Sequence, residues 1–128
     1  MIVTPLVASV LGVLYVVLAL KIVQLRRKYG ISIGYGSNDE LHRTIRAHAN
    51  LTEYAPILLI LLAVLEFNGA PVWLCALLAL PFLAGRLLHA RAMSLPSSKV
   101  PKQRVLGMQL TLYNLLALCL VNVLWLLF

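Results

Sequence analysis

Four apolar blocks, separated by short polar connections, constrain this chain more than any other feature of its sequence. They occupy residues 5–20, 54–65, 70–84 and 105–128. Only the last block has the roughly 20 residues that a helix needs to cross about 30 Å of hydrocarbon. The other blocks reach that length only if the polar residues at their ends continue the same helices.

The composition agrees with a membrane-embedded chain. Of the 128 residues, 62% are hydrophobic and only 12% are charged, whereas a soluble domain carries about 25% charged residues. We therefore predict an all-α integral membrane protein, a bundle of four transmembrane helices at about residues 3–26, 38–67, 71–93 and 103–127. These helices form a single domain over residues 1–128, which leaves no room for a soluble module.

The basic residues lie on one side of the predicted helices. The second connection has none, and all eleven lie in or beside the first and third connections: Lys21, Arg26, Arg27, Lys28, Arg43, Arg46, Arg86, Arg91, Lys99, Lys102 and Arg104. By the positive-inside rule, the first and third connections are cytoplasmic and both termini lie on the opposite side of the membrane.

The charges and the cysteines do not favour a signal peptide, a nucleic-acid-binding surface or a metal site. The charges of the first block follow its apolar run, whereas a secretory signal peptide carries them before it. The positive-inside rule already explains the net charge of +7, so we expect contacts with anionic membrane lipids and no nucleic-acid binding. Cys75 and Cys119 lack metal-ligand spacing, so we expect no metal site and assign both to packing or lipid contact.

The second predicted helix carries polar side chains towards the membrane interior. Ser37 and Glu40 have the spacing of a capping box, which predicts Ser37 as the N-cap. At 100° per residue, Asn50 lies about 40° from Arg46, and Glu53 lies about 20° on the other side. Arginines that snorkel to the headgroups would explain Arg43, but they would not explain Glu53, a carboxylate deeper in the same stripe.

Cations from the other three helices are predicted to meet this stripe. Arg26 lies at the end of the first helix, Arg86 and His89 lie three residues apart near the end of the third, and Arg104 begins the fourth. Because consecutive helices of such a bundle are antiparallel, these groups reach one level of the membrane. They form a basic cluster around the carboxylate of Glu53, which suits a ligand with several carboxylates and at least one ammonium group.

The segment RAHANLTEYAP, residues 46–56, resembles the R-x-x-N-x-x-E signature of the membrane-associated proteins in eicosanoid and glutathione metabolism, the MAPEG family. Four helices with basic connections fit that family over the whole chain, and a chain this short is most similar to its bacterial members. The resemblance implies a homotrimer in the bacterial inner membrane, with periplasmic termini. It also implies that glutathione binds between neighbouring subunits near the cytoplasmic side.

Six residues correspond to positions that bind glutathione in that family. Three belong to the signature of the second helix, two match the R-x-x-H pair of the third helix, and one follows Gln-Leu at the end of the first helix. In chain order they are Arg26, Arg46, Asn50, Glu53, Arg86 and His89.

Arg104 resembles the arginine proposed to stabilise the glutathione thiolate, and it is therefore the implied catalytic residue. Prostaglandin E synthase-like members carry a tyrosine four residues after the counterparts of His89 and Arg104. This chain has Met93 and Met108 at those places, so we do not expect prostanoid chemistry. Tyr113 is a candidate for a substitute hydroxyl donor.

The function implied by the resemblance is that of a detoxifying glutathione transferase or peroxidase. An arginine beside the bound thiol favours the thiolate, which then attacks a lipophilic electrophile that arrives laterally from the bilayer. Two alternatives stay open. One is a non-catalytic glutathione- or lipid-binding scaffold of the same family. The other is a small four-helix transporter, whose essential acid would be expected in the first helix, where residues 5–20 contain none.

Overall fold

Four long helices make up the computed structural model of this protein, which describes residues 1–95 and 102–127. The helices are α1 (Val3–Tyr29), α2 (Asp39–Phe67), α3 (Val72–Ser94) and α4 (Lys102–Leu127). Each is long enough and apolar enough to cross a membrane, and no strand occurs within the described ranges. The predicted all-α class with four transmembrane helices is confirmed. Residues 96–101 of the predicted third connection, Lys99 among them, lie outside the described residues.

The helix ends follow the capping chemistry of their sequences. α1 continues to Tyr29 because Gly30 adopts the left-handed conformation, with φ 65°, that closes a helix. At the start of α2 the predicted N-cap is wrong by one residue. The side chain of Asn38, not Ser37, accepts the N–H of Leu41 at 2.9 Å. Ser37 has a φ of 60°, outside the extended conformation that an N-cap residue usually adopts.

Glu40 is also used differently from the prediction of a capping box. Its Oε2 accepts the phenolic O–H of Tyr29 at 2.8 Å and lies 3.9 Å from the Nζ of Lys28. These contacts join the end of α1 to the start of α2. The carboxylate therefore links the two helices on either side of the first connection and does not accept a backbone N–H of its own helix.

The interior of the bundle is apolar over most of its length. Side chains three and four residues apart on α2 meet side chains of α3 and α4, and the largest of these are fully buried: Leu58, Leu62, Leu65, Phe82 and Leu118. Many large apolar side chains point outward instead, among them Val13, Leu80 and Leu116. Such exposed apolar faces are expected where helices contact lipid.

At the end of the bundle away from the cations, Glu66 holds the start of α1. Glu66 lies in the last turn of α2, within the helix predicted over residues 38–67, and it is buried. Its carboxylate accepts the N–H groups of Ile2, Val3 (2.8 Å) and Thr4 (2.9 Å) and the hydroxyl of Thr4 (2.7 Å). The first N–H groups of a helix have no partner within the helix. Here the carboxylate of Glu66, on α2, accepts these N–H groups at the start of α1.

Two side chains of α4 donate hydrogen bonds to backbone carbonyls near the end of α2. The Nδ2 of Asn122 donates to the carbonyl of Leu61 at 3.1 Å, and the Nε1 of Trp125 donates to the carbonyl of Asn68 at 3.0 Å. These bonds fix α4 against α2. The opposite end of the bundle, formed by the last turns of α1 and α3 and the first turns of α2 and α4, is called the basic end below.

Candidate functional site

The predicted polar stripe of α2 separates into an outward and an inward part. The Nη2 of Arg46 lies 3.8 Å from the Oε1 of Glu53, and both side chains are about half exposed, at 51% and 50%. Asn50, between them in sequence, is buried. Residues seven apart on a helix share a face, whereas the fourth residue is rotated by about 40°. This rotation turns the amide of Asn50 into the bundle while the two charged groups face out of the protomer.

The side chain of Asn50 forms a hydrogen bond with Arg86 on α3. Its guanidinium is buried, with 2% of the residue exposed, and Nη1 donates to the Oδ1 of Asn50. Nη2 donates to the hydroxyl of Thr111 and to the carbonyl of Gly107 at 3.3 Å, and it lies 3.6 Å from the sulfur of Met108. Arg86 therefore connects α2, α3 and α4 through one side chain.

The buried guanidinium is held by neutral oxygen atoms. No carboxylate forms an ion pair with it within residues 1–95 and 102–127. The aromatic rings of Tyr54 and Phe82 lie 5.4 and 5.6 Å from the carbon of the guanidinium, at distances where a ring face stabilises a cation. A buried charge is tolerated only when it is well hydrogen-bonded, so Arg86 depends on all these groups.

Two glycines allow α3 and α4 to approach closely enough for these bonds. A Cβ on Gly85 would lie 2.9 Å from the carbonyl oxygen of Gly107, and a Cβ on Gly107 would lie 2.7 Å from that of Gly85. Any larger residue at either place would push the helices apart. The contact lies directly beside Arg86, so it also sets the distance from the guanidinium to Thr111.

His89, one turn after Arg86, lies in the same interface. It is buried and packs against Gly107, and its ring faces the backbone of Arg104. Its Nδ1 is buried and has no hydrogen-bond partner among the described residues.

The remaining two predicted site residues lie at helix ends. Arg104 is exposed in the first turns of α4. The Nη1 of Arg26 donates to the carbonyls of Ser32 at 3.0 Å and Ile31 at 3.4 Å, so this guanidinium lies against the first connection. The structure therefore joins Asn50 with Arg86, joins Arg46 with Glu53, and brings His89 to the start of α4.

Several residues of this site were not predicted from the sequence. Gly107 and Thr111 hold Arg86, and Asn114 is buried on the same face of α4. Their spacing of four and three residues within an apolar helix is the signal that could have identified them. Tyr113, the candidate hydroxyl donor, is 68% exposed and lies on a different face of α4 from these residues.

The chemistry available at the basic end is recognition of charged and hydrogen-bonding groups. Arg46 and Arg104 offer exposed cations, Glu53 offers an exposed carboxylate, and Asn50 offers an amide. Within the part of the chain that the structure describes, no group of three or more His, Cys, Asp or Glu side chains could hold a metal ion.

Comparison with known proteins connects this arrangement to a family. The chain matches the family model of the MAPEG family over residues 4–124. It is also similar to the protein named inner membrane protein YecN in two strains of Escherichia coli, K12 and O6:H1. Each is 38% identical over 87 residues, which are 65% of this chain and 66% of the relative. The chain thus spans just under two thirds of the length of these relatives.

Proposed function

This chain belongs to the MAPEG family of integral membrane proteins, and from that membership we propose that it is a glutathione transferase or peroxidase. In this proposal the enzyme binds glutathione at the basic end of the bundle. It converts the bound thiol to a thiolate, which attacks a lipophilic electrophile dissolved in the bilayer. The MAPEG family includes glutathione transferases, which makes this chemistry the first to test.

The observation that carries the proposal is the half-exposed pair of Arg46 and Glu53 on a membrane-spanning helix. Exposed charges in such a helix are costly unless they meet a partner or a ligand. Glutathione has two carboxylates and one ammonium group, so Arg46 can bind a carboxylate while Glu53 binds the ammonium group. Asn50, Arg86, His89 and Arg26 complete the proposed binding region.

Arg104 is the residue that we propose activates the thiol. A free thiol with a pKa of about 8.5 is only a few per cent ionised at pH 7. A guanidinium beside it stabilises the thiolate and lowers that pKa. Arg104 is exposed in the first turns of α4, next to His89, where a ligand held by α2 could reach it.

The proposed enzyme is a homotrimer in the bacterial inner membrane. A homotrimer would cover the outward face of Arg46 and Glu53 with a neighbouring subunit, so that glutathione binds between chains. The similarity to proteins named inner membrane proteins supports a bacterial inner membrane location. The basic end would then face the cytoplasm, which supplies glutathione, while the bilayer supplies the apolar substrate.

The test is binding and turnover by the purified protein in mild detergent. We expect glutathione to bind, and an aryl halide or a lipid hydroperoxide to be consumed only when glutathione is present. The control is the same assay with the variant Arg104→Ala. Absence of glutathione binding would contradict the whole proposal.

A non-catalytic member of the family is the second candidate. Met93 and Met108 stand where some family enzymes have tyrosines, so this chain lacks two hydroxyl groups that could assist the reaction. A scaffold would bind glutathione or a lipid with no turnover of either electrophile. The assay above therefore separates the two functions directly.

A further inference from the structure

The hydrogen bond between Arg86 and Asn50 determines which atom of the Asn50 amide remains free to bind a ligand. An arginine side chain only donates hydrogen bonds. The atom of Asn50 that faces Nη1 of Arg86 must therefore be Oδ1, as the structure has it. The Nδ2, with two N–H groups to donate, consequently lies on the far side of the amide from Arg86.

Arg86 cannot easily release this amide. Its second terminal nitrogen is held by Thr111 and by the carbonyl of Gly107 at 3.3 Å. The close contact between Gly85 and Gly107 fixes the two helix backbones that carry these groups. The orientation of Asn50 on α2 is therefore set in advance by α3 and α4.

Asn50 also lies between the two exposed charges of α2 in the sequence. Arg46 precedes it by one turn and Glu53 follows it by nearly one turn, and their side chains reach within 3.8 Å of each other. The Asn50 amide lies inward of this pair, so a group of the bound ligand that points into the bundle would meet it. An amide N–H at that place recognises an oxygen acceptor, either a peptide carbonyl or a carboxylate.

We propose that Arg86 is a positioning residue, which fixes the Asn50 amide so that Nδ2 donates to a carbonyl or carboxylate oxygen of a peptide ligand. Arg86 itself does not touch the ligand. This inference rests on the proposed function, in which the ligand is glutathione. It changes the role of Arg86 from direct binding to orientation of the group that binds.

A double-mutant cycle on glutathione affinity tests this role. The variants are Asn50→Ala, Arg86→Lys and the double variant, measured by calorimetry on purified protein in detergent. We expect Asn50→Ala to weaken binding about 30-fold. Lysine keeps the charge but loses the forked geometry, so Arg86→Lys should weaken binding about tenfold when Asn50 is present. In the Asn50→Ala background it should have almost no further effect.

Asn50→Asp is a second variant that keeps Arg86 paired. The new carboxylate accepts the bond from Arg86, so the thermal midpoint should equal or exceed that of the parent. The N–H donors are lost, so we expect glutathione affinity to fall about as far as in Asn50→Ala. A purely structural role for Asn50 would instead leave affinity intact in this variant.

The outcomes separate this inference from the proposed function. If the parent protein does not bind glutathione, both are wrong. If the parent binds glutathione but Arg86→Lys weakens binding equally in both backgrounds, the role of Arg86 as a positioning residue is overturned while the proposed function stands. Parent-like affinity in Asn50→Asp overturns it in the same way.

Discussion

At the scale of single residues, the exposed pair of Arg46 and Glu53 should determine affinity, whereas Arg104 should determine the state of the thiol. In the proposed homotrimer a neighbouring subunit buries the charge pairs that Arg46 and Glu53 form with glutathione, and removing one member of such a buried pair costs about 2–5 kcal/mol in binding. We therefore expect Arg46→Ala or Glu53→Gln to weaken glutathione binding about 30-fold or more. Arg104→Ala should keep most of the affinity and lose the thiolate absorbance near 240 nm that appears when glutathione is added.

Lys102→Ala is the matched control for Arg104→Ala, because it removes an exposed cation from the same turn of α4. It should change neither affinity nor the thiolate absorbance. If Arg104→Ala retains the full absorbance and full turnover, the activating role belongs to another cation. Exposed Arg46 and the Arg26 side chain on the first connection would then be tested next.

The inward position of Asn50 is a feature that the sequence alone does not predict. The helical period identified Arg46, Asn50 and Glu53 as one stripe, because spacing along a helix depends on local geometry alone. It could not predict that Asn50 turns inward, because its partner Arg86 lies 36 residues away in the chain. The role of Glu66 was missed for the same reason, since the N–H groups that it accepts begin α1.

At the scale of helices, the contact between α3 and α4 gives a direct test of packing. A Cβ on Gly107 would lie 2.7 Å from the carbonyl oxygen of Gly85. Gly107→Ala should therefore destabilise the protein by about 1–3 kcal/mol, seen as a lower thermal midpoint in detergent. Gly12→Ala on α1 is the matched control, because a Cβ there meets nothing within 4 Å. It should leave the midpoint unchanged or raise it, since alanine favours helix over glycine.

The link between the start of α1 and the end of α2 gives a second prediction at this scale. Glu66→Gln keeps the size of the side chain but replaces one acceptor oxygen with an N–H group that faces other donors. We expect a loss of about 1–3 kcal/mol in stability and faster hydrogen exchange at Val3 and Thr4. Glu53→Gln, the same change at a half-exposed site, should leave the stability of the ligand-free protein nearly unchanged. Equal midpoints for the two variants would contradict the role assigned to Glu66.

The boundaries of the helices were largely predictable, because apolar length and capping residues are local properties. Two boundaries differed: α1 ends at Tyr29, three residues beyond the predicted end, and the N-cap of α2 is one residue later than predicted. Two neighbouring residues, Ser37 and Asn38, can both cap a helix. The positive φ of Ser37 in the glycine-rich turn selected Asn38, and that conformation depends on the whole connection.

At the scale of the whole molecule, the charged face of α2 should be covered by another copy of the chain. Polar groups exposed to hydrocarbon cost several kcal/mol each, and Arg46 and Glu53 are half exposed in the protomer. We expect a homotrimer, with the number three taken from family membership. Native mass spectrometry in mild detergent should detect it, and a population of monomers or dimers alone would contradict the expectation.

Orientation in the membrane is a separate prediction for the whole chain. All eleven Lys and Arg residues lie in or beside the first and third connections, so these connections should be cytoplasmic. A reporter that is active only in the cytoplasm should be inactive when fused after Phe128. The same reporter inserted into the first connection, at Gly34, should be active. The reverse pattern would show the opposite orientation.

The buried position of Arg86 has a consequence for how the protein enters the membrane during synthesis. An arginine at the centre of an isolated inserted helix costs about 2.5–3.5 kcal/mol, and Arg86, about two turns from the end of α3, would carry part of that cost. Part of what compensates Arg86 lies on Thr111 and Gly107 of α4, which leaves the ribosome later than α3. We expect α3 to insert poorly when translation is halted before α4 emerges. The last two helices should therefore be integrated together, as a hairpin.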